Sequence, residues 1–137
     1  MANHFTYTKG IVHKTVLHDA IVETATSSAI SIAGVRGVGI QITATGITTR
    51  STVLTITVSM DGGTTYQAYS RLVSNATNTN VQNVTRVASV TQGATGTTIF
   101  WLDPTTLAGL THFKAVATIT DSGSPAGTVT VTAVKTY

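Results

Sequence analysis

Apolar and polar residues alternate in four stretches of the chain. These stretches are 38–44, 54–60, 113–119 and 129–133. In the first of them, for example, Ile40 and Ile42 are separated and flanked by glycine or by polar residues. Successive side chains of a β-strand point to opposite faces, so a period of two predicts a strand with one buried face. The four stretches are therefore predicted to be strands that share one core.

Five further stretches have weaker strand signals, and most of them are bounded by glycine, aspartate or proline. They are 11–18, 29–33, 65–72, 81–90 and 97–102, and turn residues stand at 34, 46, 61–63, 93–96 and 121–125. About eight strands separated by such turns are typical of an antiparallel β-sandwich or jelly roll, and the fold class is all-β. Residues 11–137 are predicted to form a single β-sandwich domain, and residues 1–10, which show no period, an N-terminal arm.

Composition narrows the function classes. Threonine makes up about a fifth of the chain, and charged residues only 9%, against about 25% in ordinary soluble domains. The net charge of +3 is spread along the chain without a basic cluster, so we expect no nucleic-acid partner. With no cysteine, zinc–thiolate sites and thiol nucleophiles are excluded. So little charge favours a protein that covers part of its surface with partners.

No stretch has the length and hydropathy of a signal peptide or of a membrane-spanning helix. We therefore expect a protein that is made in a cytoplasm and that has no membrane partner.

The segment 59–66 resembles an Asp-box, Ser-x-Asp-x-Gly-x-Thr-Trp, with tyrosine in the last place. The matching residues are Ser59, Asp61, Gly63, Thr65 and Tyr66. A carboxylate there accepts hydrogen bonds from the N–H groups of a tight turn, and glycine supplies positive φ. We interpret the segment as a structural turn between two strands and not as a calcium or sugar site.

A wider resemblance appears when the segments before this turn are included. They are the Leu-His-Asp stretch at 15–20, the small residues at 27–34 and the strands at 39–45 and 54–66. In this order they are similar to the small β-sandwich virion proteins of tailed phages, of the head decoration or cement type. The resemblance covers residues 15–70 and implies a structural protein of the virion.

The residues that carry catalytic or metal chemistry are few and scattered. The histidines are His4, His13, His18 and His112, and the carboxylates are Asp19, Glu23, Asp61, Asp103 and Asp121. Three of the aspartates lie within two residues of glycine or proline, where aspartate caps a turn, and the histidines are interpreted as surface or interface residues. We expect no catalytic residues, no metal site, no cofactor and no enzymatic activity.

Two other features favour contacts with partners. The polar stretch 74–83 is a possible contact loop, with Asn75, Asn78, Asn80 and Asn83. Trp101 lies among apolar residues and is assigned to the core or to a subunit interface.

The function predicted from these observations is that of a capsid decoration or cement protein that stabilises a phage head. Its partners would be the major capsid protein or another virion protein and further copies of itself, with a trimer as one form. One alternative is a carbohydrate-binding adhesin of a tail tip or fibre that uses Trp101, Tyr66 and Tyr69. Another is a subunit of a tail tube or extracellular filament.

Overall fold

The structure is a computed structural model that describes residues 12–75, 83–87, 89–102 and 107–137. Ten strands lie in these ranges. They are β1 Val12–Ile21, β2 Ala25–Thr26, β3 Ile30–Ser31, β4 Gly37–Ser59, β5 Gln67–Ala68, β6 Arg71–Asn75, β7 Asn83–Val87, β8 Ser89–Gln92, β9 Gly96–Leu102 and β10 His112–Thr136. All their pairings are antiparallel, which confirms the all-β sandwich class. The jelly-roll order stays a prediction, and the proposed arm lies outside the described residues.

The two long strands β4 and β10 pair with each other along almost their whole length. The ladder runs from Gly37 opposite Thr136 to Ser59 opposite His112. At one end of this ladder β1 adds to β10 and β9 adds to β4, which we call half-sheet A. At the other end β2 and β3 add to β10, and β5 and β8 add to β4, which we call half-sheet B.

The long ladder folds over so that its two ends meet. The N–H of Ile32 donates to the carbonyl of Thr111 (2.9 Å) in half-sheet B, and the N–H of Arg36 donates to that of Thr136 (2.7 Å) in half-sheet A. The four residues of chain from Ile32 to Arg36 span at most about 14 Å. The end of the ladder near Thr111 therefore lies close to the end near Thr136. The two half-sheets therefore form the two layers of the sandwich.

The same face of the ladder is buried in both half-sheets. Its largest fully buried apolar side chains are Phe113, Ile40, Ile42, Leu54, Val38, Val129 and Val131, and Leu102 of β9 packs with them. In the described ranges, the buried apolar residues form one cluster. The alternation at 38–44, 54–59, 113–119 and 129–133 thus predicted strand residues correctly, but these are parts of two continuous strands, and Met60 lies beyond the end of β4 and is 73% exposed.

His18 differs from its expected position. It is only 5% exposed, and its Nε2 lies 2.9 Å from the carbonyl oxygen of Ala115. This contact joins β1 of half-sheet A to β10 in half-sheet B. The interpretation of His18 as a surface or interface histidine was wrong, because a bulge between Val16 and His18 turns its ring inward.

The turns predicted at 46 and 121–125 are not strand ends in the structure. Both positions lie within β4 and β10, where the ladder loses its regular register between Asp121 and Thr128. Arg50 joins the strands there: its Nε and Nη2 donate to the two carboxylate oxygens of Asp121 (2.7 and 2.9 Å) and its Nη1 to the carbonyl of Gly127. Gly127 has φ of 90°, and a Cβ at this position would lie 2.5 Å from the Thr45 carbonyl oxygen. The backbone approach that bends the ladder therefore requires glycine.

Candidate functional site

The segment that resembles an Asp-box connects β4 to β5 in half-sheet B. β4 ends at Ser59 and β5 begins at Gln67, which lies opposite Val58. Between them, Oδ1 of Asp61 accepts hydrogen bonds from the N–H of Thr64 (3.1 Å) and the N–H of Thr65 (2.9 Å). The side chain of one aspartate thus holds the second part of the turn.

Ser59 holds the first part of this turn. Its buried hydroxyl donates to Oδ1 of Asp61 (2.7 Å) and accepts from the N–H of Gly63 (3.0 Å). Thr111 ties the turn to the segment before β10, because its hydroxyl donates to the Ser59 carbonyl (3.1 Å) and accepts from the N–H of Gly62 (3.1 Å). Since Gly62 and Gly63 have φ of 77° and 90°, the turn also needs residues without a Cβ.

These hydrogen bonds favour the charged form of Asp61. The pKa of its carboxyl group is well below the ordinary range, chiefly because the N–H of Thr65 donates to it and then because the Ser59 hydroxyl does. A carboxylate with so low a pKa is a poor proton acceptor near neutral pH. The geometry therefore suits a turn that holds strands and does not suit general-base catalysis.

We expect Asp61→Asn to make the fold less sensitive to acid. Because folding lowers the pKa of Asp61, its carboxylate stabilises the fold above the ordinary carboxyl pKa of about 4. That contribution is lost as the pH falls through the folded-state pKa. Asparagine keeps an Oδ1 acceptor but does not titrate. Urea unfolding at about pH 6 and about pH 2 measures how much unfolding free energy each protein loses between these two conditions. The loss should be smaller for Asp61→Asn than for the wild type, and an equal loss would contradict this explanation.

Tyr66, His112 and Lys114 lie beside this turn. The hydroxyl of Tyr66 and Nδ1 of His112 are enclosed, and neither has a hydrogen-bond partner among the residues that the structure describes. Both lie within 3.4 Å of the position that a Cβ on Gly63 would take. The ammonium group of Lys114 lies 4.2 Å from the centre of the Tyr66 ring.

In the part of the chain that the structure describes, no three His, Cys, Asp or Glu residues come together as metal ligands do.

A second surface feature lies on the outer face of half-sheet A. In β9, Phe100 and Leu102 point into the core, whereas Ile99 and Trp101 point outward and are 59% and 55% exposed. The six-membered ring of Trp101 lies over Gly39, where a Cβ would be 2.7 Å from its Cζ3. Trp101 was assigned to the core or to a subunit interface, and its exposed position excludes the core.

The other aromatic residues of the proposed sugar-stacking set are not on this face. Tyr69 is buried in the core, and Tyr66 lies by the turn in half-sheet B. The adhesin alternative predicts that two or three of these rings are exposed together on one face, and no two of the three are placed in this way.

The predicted contact loop is described only at its two ends. Asn75 and Asn83 are the last pair of the two-stranded sheet formed by β6 and β7. Asn78 and Asn80 lie outside the described residues.

Two contributors to these sites were missed in the sequence. Thr111 is far from the turn in sequence, and no local pattern links it to Ser59. Ile99 was not distinguished from a core residue, because an apolar residue in a strand gives the same local pattern whichever face of the sheet it occupies.

Among solved structures, the chain is similar to that of the SPBc2 prophage-derived protein YomS. The TM-score is 0.58 at 17% sequence identity, and the match covers 93% of this chain and 96% of that one. This structural similarity shows that the two chains share a fold. No protein-family model and no curated protein sequence matches the chain. Within the described ranges, no helix has the length and apolar character needed to cross a membrane.

Proposed function

We propose that the chain is a non-enzymatic structural protein of a phage particle, which binds the assembled head shell and stabilises it as a decoration or cement protein. The observation that supports this most is the fold shared with a prophage-derived protein along almost the full length of both chains. The partner would be the major capsid protein or another protein of the shell. The proposed place of the protein is the virion, after synthesis in the host cytoplasm.

The chemistry of the described residues is consistent with a binding role. The Asp61 carboxylate accepts hydrogen bonds within its own turn, and the Asp121 carboxylate is paired with Arg50. A protein that binds only the assembled shell stabilises it by mass action, without any reaction. Many copies on one shell add avidity to a weak individual contact.

The segments proposed to contact the shell are residues 1–10 and the asparagine-rich stretch 74–83. Neither shows a core pattern in the sequence, and the second is rich in asparagine and threonine. Asn75 and Asn83 hold the ends of the second segment opposite each other in the β6–β7 ladder. A contact made by such segments leaves the folded sandwich unchanged when the protein binds.

We expect the purified protein to sediment with undecorated, expanded shells of the virus that encodes it and to raise the temperature at which they come apart. Deletion of residues 1–10 should weaken this binding while the circular dichroism spectrum and thermal unfolding stay as in the wild type. A matched control replaces residues 2–10 with a glycine–serine segment of equal length, which separates the effect of sequence from that of length.

Two results would overturn the proposal. One is the absence of binding to shells at any protein concentration. The other is labelling of the protein at the tail of intact virions, which would favour the adhesin or the tail-tube alternative.

A further inference from the structure

The outer face of half-sheet A presents two neighbouring rows of side chains across four strands. Directly opposed residues of paired strands share a face, so each row is read from the register of β1, β10, β4 and β9. The first row is Lys14, Val134, Gly39 and Trp101, and the second is Val16, Thr132, Gln41 and Ile99.

Three of the four residues at the ends of these rows are apolar and exposed. Trp101, Ile99 and Val16 are more than half exposed, at 55%, 59% and 52%. Lys14 is the one charged side chain in the two rows. Trp101 and Ile99 form an exposed apolar pair on β9, and Val16 lies on β1 at the opposite edge, with the exposed Gln41 and the buried Thr132 between them. Exposed apolar side chains on a folded domain favour a contact with another molecule, and tryptophan is enriched among the residues that dominate such contacts.

We propose that this face binds the same face of a second copy of the chain, about a two-fold axis that runs parallel to the strands between β10 and β4. Such an axis places β1 of one copy over β9 of the other. The Val16 side chain then faces Ile99 of the partner subunit, and Lys14 faces Trp101 of the partner subunit. Each of these contacts occurs twice, as an isologous interface requires.

Charge is the reason for this choice of occupant and axis. With the axis parallel to the strands, the ammonium group of Lys14 meets an indole face, a favourable cation–π contact. An axis perpendicular to the strands would set Lys14 against either Lys14 or Val16 of the partner subunit, and both place a cation without a partner in an apolar contact. The face is thus complementary to itself in one orientation.

The dimensions of the face fit this packing. Three strand spacings of about 4.8 Å make the rows about 14 Å wide. Packed sheets lie about 10 Å apart and cross at about −30°, and the long side chains of Lys14 and Trp101 can span the shift that this crossing produces at the edge strands. The six-membered ring of Trp101 lies against Gly39, which leaves the opposite side of the indole for the partner subunit.

This interface does not depend on the virion role, and its test uses the purified protein without shells. Trp101 is the single tryptophan of the chain, so its fluorescence reports on this face alone. We expect sedimentation velocity to show a monomer–dimer equilibrium, and the Trp101 emission to move to longer wavelength on dilution. Ile99→Thr should weaken dimerisation about tenfold or more while the circular dichroism spectrum is unchanged.

Cross-linking tests the orientation, because the chain has no cysteine of its own. A short bifunctional thiol reagent should join Val16→Cys protein to Ile99→Cys protein in the mixture, whereas each variant alone should give little covalently linked dimer on a denaturing gel. Met60→Cys mixed with Val22→Cys is the control, since both residues are exposed outside the two rows.

Three outcomes would overturn the inference. A protein that is monomeric at all concentrations has no such interface. Undiminished dimerisation of Ile99→Thr places the interface on another surface. Cross-linking of Val16→Cys alone as efficient as that of the mixture contradicts the proposed axis.

Discussion

Ile40→Ala is expected to lower the free energy of unfolding by about 2–5 kcal/mol, whereas Ile99→Ala is expected to change it by about 0.5 kcal/mol or less. The two residues have the same side chain and lie on neighbouring strands, β4 and β9. Ile40 is fully buried between the two half-sheets, while Ile99 is 59% exposed on the outer face. Loss of the Ile40 side chain leaves a cavity in a close-packed core, and loss of Ile99 removes contacts with solvent.

Urea unfolding of both variants, followed by circular dichroism, measures this difference. The protein concentration should be low enough to keep the chain monomeric, so that a contact of Ile99 with a second copy does not enter the result. Similar losses for the two variants would show that the outer face of β9 is covered within one chain. A small loss for Ile40→Ala would contradict the folding of the long ladder over itself.

Ser59→Ala is expected to cost about 1–3 kcal/mol of unfolding free energy, a large effect for the removal of one oxygen atom. The Ser59 hydroxyl is buried, donates to Asp61 and accepts from the N–H of Gly63. Its removal leaves that N–H without its acceptor and removes one donor from the Asp61 carboxylate. Ser89→Ala in β8 is the matched control, because Ser89 is exposed.

Thermal unfolding checks the stability, and hydrogen exchange of the Gly63 amide checks the mechanism. That amide should exchange faster in Ser59→Ala than in the wild type, and at the wild-type rate in Ser89→Ala. An unchanged exchange rate together with a lowered stability would mean that Ser59 acts through packing and not through the turn.

The β strands and the turn at Asp61 were predictable because their signals are local. Alternation at 38–44 or 113–119 depends on neighbouring residues only, and a strand with that pattern has a single way to bury its apolar side. The residues of the turn lie within a few positions of Asp61, so their mutual hydrogen bonds follow from the local backbone. The hydroxyl of Thr111, which completes the turn, comes from a distant segment and had no local signal.

Other features were decided only by the packing of the folded chain. In β9 both alternating sets contain apolar residues, Ile99 and Trp101 in one and Phe100 and Leu102 in the other, so the pattern alone does not choose the buried face. The register of β9 on β4 makes that choice, because it places Phe100 opposite the buried Ile40. Gly46 and the residues 121–125 have the composition of turns, yet the pairing of Arg50 with Asp121 keeps both strands in one bent ladder. The buried face of β9 and the continuity of β4 and β10 depend on contacts between residues far apart in sequence. The pattern of residues along the chain does not show which distant residues will be in contact.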